Sequence, residues 1–393
     1  MKFTKASIEQ IKLPDGKREV IVFDDTLAGF GLRIRAGGKR VWIAQYRLGS
    51  RQRRLTLGSV QKLNLDVARK RAKEALSKVD LGTDPQIEKI EARANAALTL
   101  KSVIDIYVHS YAEKRLRPNT LVGVRRYLYQ HWRVLLSLPA RSVTRSHVAT
   151  QLSAIARDNG QYASNRARAT LSSLFSWAIA EGIVDTNPVV GTRKAVFEKP
   201  RDRVLTNEEL KLVWQHSDQG DFGMIVRLLI LTGQRREEVA AMRWSEIDLN
   251  ARQWSIGSER TKNGQNHTIY LSNAATTILR ERHQSIQRDL VFGTKGPFSG
   301  WSKSKARIDA RIAIFLGGQK MNEWRVHDLR RTLATRLADL GVLPHVIEAV
   351  LNHLSGHKAG VAGIYNRSTY DLEKKEAMNL WANHVTTVLL KTI

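Results

Sequence analysis

VHDLRRTLATRLADLGVLPHVIEAVLNHLSGHKAGVAGIYNRSTY, residues 326–370, is the stretch on which the reading of this chain turns. On a helix beginning near Val326, His327 and Arg330 are three residues apart and project from neighbouring points of one face, while Leu329, Leu333 and Leu340 point into a core. One phosphate can then be held by both. An imidazole donates a hydrogen bond or moves a proton, and a guanidinium offers a planar fork of donors matched to two phosphoryl oxygens. Tyr365 follows a glycine-rich segment, residues 355–363, that lets the chain turn and present a phenol. A phenol is a poor nucleophile until its proton is removed. Surrounding cations would ease that loss and stabilise the negative charge developing at the phosphate.

The whole chain is built for a polyanion. Its 64 Lys and Arg against 37 Asp and Glu leave a net charge of +27, far beyond what solubility needs, and such a surplus suits a partner whose condensed counterions are released on binding. Nucleic acid is the expected partner. An anionic membrane would instead call for a polybasic amphipathic helix beside an anchor, whereas these cations are spread over every region. The 393 residues are long enough for two or three domains, each with apolar content for a core. The absence of cysteine excludes disulfides and thiolate-ligated zinc, and agrees with a reducing interior. The first twenty residues are too polar and acidic for a signal peptide, and no apolar run approaches the length of a membrane span.

Strand signals come first. In GLRIRAGGKRVWIAQYRLGSRQRRLTL, residues 31–57, Leu32 and Ile34 alternate with Arg33 and Arg35, and Trp42, Ala44 and Tyr46 alternate with their neighbours. Gly37-Gly38 and Gly49-Ser50 mark turns, so the stretch predicts a three-stranded antiparallel meander. A helix over about 65–79 follows, with Asn64 as its cap and Leu65, Ala68, Ala72, Leu76 and Val79 on one face. The meander carries Arg33, Arg35, Lys39, Arg40, Arg47, Arg51, Arg53 and Arg54 without one acidic residue. A basic ribbon of this kind can enter a DNA groove; otherwise it is a solvated sheet face.

Gly82-Thr83-Asp84-Pro85 separates this piece from a helical linker over about 86–97. Four helices are predicted next, over about 100–114, 118–136, 145–157 and 162–181. Pro118 suits a first turn, Thr144 a cap, and Gly182 with Asn187-Pro188 the last stop. After a basic linker, residues 189–204, Thr206 to Glu209 reads as a capping box opening another helix. LTGQRREEVAAMRWSEIDL, residues 231–249, places Glu238 three beyond Arg235, where its carboxylate can orient the guanidinium; Arg236 competes with Arg235 for the role. In RTKNGQNHTIYLS, residues 260–272, Asn263-Gly264 predicts a hairpin with Lys262 at a mobile tip, between strands covering about 254–272.

Taken together these motifs resemble the tyrosine recombinases, the phage-integrase family, over nearly the whole chain, and most closely the integrases of prophages and genomic islands. The resemblance implies a multidomain, mainly α protein with α+β parts. Residues 1–85 become an arm-type DNA-binding domain made of a small sheet and a helix, and 86–98 a linker. Residues 99–190 become a helical-bundle core-binding domain, and 200–393 a mostly α catalytic domain with a short antiparallel sheet. By motif position, the family's catalytic set falls on Arg235, Lys262, His327, Arg330, His353 and Tyr365. His357 competes with His353, because the last box is lengthened by residues 355–360, and Leu351-Asn352-His353 favours the latter. Tyr370 is a rival to Tyr365 without the Gly-x-Tyr-x-Arg context.

The implied chemistry is site-specific recombination of duplex DNA. Tyr365 attacks a phosphate, leaving a 3′-phosphotyrosyl link and a free 5′-hydroxyl that attacks the equivalent link on another duplex. Bond energy is kept in the covalent link, so no cofactor, neither ATP nor metal, is required, in keeping with a sequence that has no phosphate-cradling glycine loop or acidic metal cluster. The resemblance also implies a monomer when free and a tetramer on paired attachment sites, in the bacterial cytoplasm at the nucleoid, with an excisionase and a DNA-bending host factor as accessory partners. Two alternatives share much of the pattern: a DNA-relaxing type IB topoisomerase, and a catalytically silent DNA-binding regulator. The basic N-terminal piece argues against the first, and the complete catalytic set against the second. The apolar tail, residues 380–393, is expected to dock, with a neighbouring protomer as one host.

Overall fold

A computed structural model describes residues 1–218, 220–283, 288–353 and 368–390. The chain divides into two compact units, Met1–Lys199 and Pro200–Ile393.

The first unit opens with helix α1 (Lys5–Gln10), then strands β1 (Glu19–Phe23), β2 (Phe30–Arg35), β3 (Arg40–Leu48) and β4 (Arg51–Ser59), and helix α2 (Leu65–Asp80). The sheet is antiparallel in the order β1-β2-β3-β4, so it has four strands where the sequence predicts three. The added edge strand, EVIVF, is rich in β-branched residues but has four consecutive apolar residues, and so lacks the period-2 alternation that betrays the others. Gly31 lets it approach: a Cβ there would lie 2.8 Å from the Val22 carbonyl oxygen. One sheet face, with Phe30, Leu32, Trp42, Ala44 and Tyr46, packs with the alanine stripe Ala68, Ala72 and Ala75 of α2. Small side chains allow a helix to lie close on a sheet, and Asn64 caps it by accepting from the Val67 N–H.

The linker is helical, α3 (Pro85–Ala97), with Asp84 as its cap. A second, separate core spans residues 100–189. It is built from α4 (Leu100–Tyr107), α5 (Pro118–Arg126), α6 (Arg145–Asn159) and α7 (Gln161–Ala180). The first two of the four expected helices do not run through. A π-helical turn, Val108–Ala112, follows α4, and another, Tyr127–His131, follows α5. A one-residue slip of this kind leaves the hydrophobic period almost unchanged, so the sequence does not signal it.

The second unit is organised around α9 (Asp221–Thr232), in which every residue except Asp221 and Arg227 is buried. Before it lies α8 (Asn207–Gln215), opened by the Thr206/Glu209 capping box; after it come α10 (Arg236–Ala240) and the sheet β5 (Ile247–Asp248), β6 (Gln253–Ile256) and β7 (His267–Tyr270). Helices α11 (Asn273–His283), α12 (Trp301–Phe315), α13 (Val326–Asp339), α14 (Pro344–Val350) and α15 (Asp371–Leu390) complete it. The tight hairpin expected at Asn263-Gly264 is instead a ten-residue loop, 257–266, between β6 and β7. Thr261 closes it from within, donating to the Gln265 carbonyl at 2.7 Å. The beginning of the apolar tail packs on its own unit. Trp381 and Val385 are buried in the core of their own unit, and the Trp381 indole N–H donates to the Ile230 carbonyl at 2.7 Å. No helix among the described residues is long and apolar enough to cross a membrane.

The segment that enters this unit is strapped to α13. Arg201 Nε donates to Asp328 Oδ2 at 3.0 Å, and the Leu205 N–H donates to Thr332 Oγ1 at 3.0 Å. The Asp328 carboxylate, fully buried, is further satisfied by Arg331 Nη1 at 2.6 Å and the Arg325 N–H at 2.8 Å.

Candidate active site

Arg330 projects inward from the second turn of α13 and is 4% exposed. A buried guanidinium is tolerated only where its N–H groups find acceptors, and here Nη1 donates to the Gly233 carbonyl at 2.8 Å and Nη2 to the Leu351 carbonyl. Gly233 ends α9 in the left-handed region, φ +63°, and a Cβ there would lie 2.8 Å from a Leu333 methyl, so the position requires glycine.

Two residues on, Arg235 stands at the N-cap of α10. Its Nη1 donates to Glu238 Oε1 at 2.8 Å, its own N–H to Glu238 Oε2 at 3.1 Å, and its Nη2 to the Asn352 carbonyl at 3.3 Å. The carboxylate expected to orient this arginine therefore does so from a buried position. Arg236 goes elsewhere, to Glu237 at 2.9 Å and over the Trp301 ring at 5.2 Å.

Between them, Gln234 is buried and donates through Nε2 to the Thr232 carbonyl at 2.9 Å and the Val350 carbonyl at 3.0 Å. Both amide hydrogens being used, its Oε1 accepts, so the buried His267, 3.2 Å away, carries its proton on Nε2. Burial, then the charges of Lys374, Arg330 and Arg235, hold the His267 pKa at about 3. Three successive carbonyls at the C-terminal turn of α14, those of Val350, Leu351 and Asn352, thus receive Gln234, Arg330 and Arg235 in order. A helix C-terminus carries the unsatisfied carbonyls and partial negative charge that suit cationic donors.

His327 and His353 face the same two charges. Desolvation, then Arg330 and Arg331, lower the pKa of His327; desolvation, then Arg330, Arg235 and His327, push His353 down to about 4. Both are neutral at pH 7 in the free protein. Because the folded pKa lies below the unfolded value, the unfolded chain binds more protons as pH falls from about 6.5 to about 4. This unit is therefore expected to lose stability across that window and regain it above. Imidazole resonances followed by NMR should show His353 titrating near 4, and moving upward when a DNA phosphate binds. An ordinary titration near 6.5 in the free protein would overturn this account.

Lys262 is exposed on the 257–266 loop, and its neighbour Asn263 is hydrogen-bonded to Asn352. Tyr365 and His357 lie outside the described residues. Tyr370 is packed, its ring centroid 4.9 Å from that of His345. The structure thus brings together Arg235, His327, Arg330 and His353 and sets the Lys262 loop beside Asn352. Gln234, His267, Asn263 and Asn352, which join these side chains to the fold, escape a reading by motif. The local signals for them are slight: the Asn-Gly pair, and the single position before His353.

The eight cations of the N-terminal sheet divide. Arg33 is bonded to Glu19 and Arg53 to the buried Asp84; Arg40 donates to the Ile8 and Ile11 carbonyls. Arg35 and Arg54 lie 3.8 Å from Glu19 carboxylate oxygens. Lys39, Arg47 and Arg51 are exposed with no ion-pair partner among the described residues. The acid-free ribbon of the sequence acquires its acids from β1 and from the cap of α3.

Comparisons with known proteins bear on the family and the fold. Residues 203–371 match the phage integrase family and residues 3–92 an arm DNA-binding domain. The chain is 31% identical over 291 residues to the integrase of Escherichia phage lambda, covering 72% of this chain and 80% of that one. It is 27% identical over 375 residues to the prophage integrase IntA of Escherichia coli strain K12, covering 91% and 88%. Its fold is similar to that of a lambda integrase tetramer bound to a Holliday junction, with a TM-score of 0.54 at 21% identity, over 84% of this chain and 97% of that one. It is also similar to the Tn1549 transposon integrase in complex with circular intermediate DNA, with a TM-score of 0.52 at 16% identity, over 71% and 99%.

Proposed function

This chain belongs to the phage integrase family, and on that premise we propose that it is a site-specific DNA recombinase that integrates and excises a prophage or genomic island. The observation that carries the proposal is the pair of guanidiniums, Arg235 and Arg330, anchored on successive backbone carbonyls beside two neutral imidazoles. Anchoring from behind fixes the forks before substrate arrives, so stabilising a pentavalent phosphorus needs little reorganisation. In this reading Tyr365 gives up its phenolic proton to solvent water, attacks the phosphorus and forms the 3′-phosphotyrosyl bond. The bond to the 5′-oxygen breaks, and Lys262 supplies the proton that oxygen takes up and regains its own from solvent. His327 and His353, neutral in the free protein, donate to phosphoryl oxygens.

Residues 1–85 serve as the arm-binding domain, 86–98 as a linker, 99–190 as the core-binding domain and 200–393 as the catalytic domain. The working assembly is a tetramer on paired sites in duplex DNA, in the bacterial cytoplasm. The match of residues 3–92 to an arm DNA-binding domain favours recombination over simple relaxation of supercoils. Incubation with the DNA that flanks its own gene, scored for joining of two duplexes, tests the reading. Relaxation of supercoils without joining would instead support a topoisomerase.

Within the arm domain, Lys39, Arg47 and Arg51 are the cations presented to DNA. Arg47→Ala with Arg51→Ala in the full chain is expected to reduce the dependence of log affinity on log salt by roughly 0.9 for each phosphate that the variant leaves unneutralised. Arg53→Ala should leave that slope intact and lower the melting temperature, because it strips the buried Asp84 of its cation. Binding titrations of arm-site DNA at several salt concentrations, with thermal melts, separate the two. Equal slopes in all three proteins would remove Arg47 and Arg51 from the interface.

A further inference from the structure

We infer that the side-chain amides of Asn263 and Asn352 form a clasp that holds the Lys262 loop against the arginine cluster, making both asparagines positioning residues for proton transfer. The inference rests on the reading of Lys262 as the acid that protonates the departing 5′-oxygen.

The two amides meet reciprocally. Asn263 Nδ2 donates to Asn352 Oδ1 at 2.6 Å and to the Asn352 carbonyl at 3.0 Å, while Asn352 Nδ2 donates to Asn263 Oδ1 at 3.3 Å. The same Asn263 oxygen accepts the Gln265 N–H at 3.2 Å, so the amide is tied to its own loop on one side and to the C-terminal turn of α14 on the other. Asn352 is 9% exposed and stands in the left-handed region, φ +50°, a conformation that a residue other than glycine adopts at a cost. Glycine would suit that backbone better. What asparagine adds is the amide.

The Asn352 carbonyl is shared. It accepts from Arg235 Nη2 as well as from Asn263, so one peptide oxygen sets the loop and a phosphate-facing guanidinium in common register. Asn263 adjoins Lys262, and Thr261 on its other side is fully buried and bonded across the loop to the Ser258 and Gln265 carbonyls. The lysine is therefore an exposed side chain on a backbone fixed at both neighbours. A loop lysine so held reaches one place repeatedly instead of sampling solvent, which is what transfer of a proton to a particular oxygen demands.

The test compares the full-length protein with Lys262→Ala, Asn263→Ala and Asn352→Gly on two suicide duplexes carrying its own recombination site. One has an ordinary scissile phosphodiester; the other has sulfur as the bridging 5′ atom, whose thiolate leaves unaided. Asn263→Ala removes all three bonds to Asn352 and is expected to slow ordinary cleavage by about 10- to 100-fold, the scale of a small misplacement of a catalytic group. Asn352→Gly keeps the shared carbonyl and should cost less. Both losses should vanish on the sulfur substrate, as for Lys262→Ala, with DNA affinity unchanged. If Lys262→Ala is rescued by sulfur but Asn263→Ala slows both substrates alike, or neither, the clasp does not serve the lysine. If Lys262→Ala itself is not rescued, the acid assignment fails and the inference goes with it.

Discussion

Replacing Tyr365 by phenylalanine is expected to abolish the covalent protein–DNA adduct while leaving folding and DNA binding intact. The change removes one hydroxyl and keeps the ring, so any loss reports on the oxygen. Without it no phosphotyrosyl bond can form, and strand cleavage should fall by roughly 10⁴–10⁶-fold, the scale on which loss of a covalent nucleophile is felt. Tyr370→Phe is the matched control. Its ring packs against His345 and its backbone φ is +51°, a setting that fixes the ring in place as a packing element. That variant should cleave at close to the normal rate. A labelled suicide substrate run on a denaturing gel decides between them: an adduct that persists in Tyr365→Phe and disappears in Tyr370→Phe would reverse the assignment.

Arg330→Ala should also damage catalysis, though less than loss of the nucleophile, and it has a second signature. Loss of one preorganised donor to a transition-state oxyanion is worth about 10²–10³ in rate. The same substitution leaves the Gly233 and Leu351 carbonyls without the guanidinium, at about 1–3 kcal/mol for each buried acceptor left unpaired. Arg330→Lys separates the effects. A lysine keeps the charge but not the planar fork that spans two carbonyls and still faces a phosphate, so cleavage should remain low while DNA affinity is largely preserved. Single-turnover cleavage at saturating protein, beside thermal unfolding of both variants, makes the measurement. Wild-type cleavage by Arg330→Lys would show that charge alone suffices and that the anchored fork is not what matters.

How far the sequence reveals such a site depends on how local its determinants are. The caps at Asn64, Thr144 and Thr206 and the stripe of Ala68 and Ala72 are legible because a helix reads its own neighbours three and four residues away. Arg235 with Glu238 is legible for the same reason. Strand β1 is not, since its identity comes from pairing with β2 and not from its own pattern. Nor is the fate of the basic ribbon, because Arg33 and Arg53 are claimed by Glu19 and Asp84, 14 and 31 positions away. Within the site, the side chains that would meet DNA stand out by type. What holds them does not: the acceptors at Val350, Leu351 and Asn352 are backbone oxygens, which every residue possesses and which only the end of a helix makes available.

The strap from Arg201 to Asp328 makes the first turn of α13 a strain gauge. Residues 201–205 are the tether by which this unit is joined to what precedes it, and the carboxylate they grip belongs to the residue between His327 and Leu329. Tension along the tether cannot be absorbed in slack chain. It falls on the ion pair to the buried Asp328 carboxylate, on the Leu205–Thr332 hydrogen bond and on the bond from Arg201 to the Glu323 carbonyl, and the first of these ends on the helical turn that carries His327.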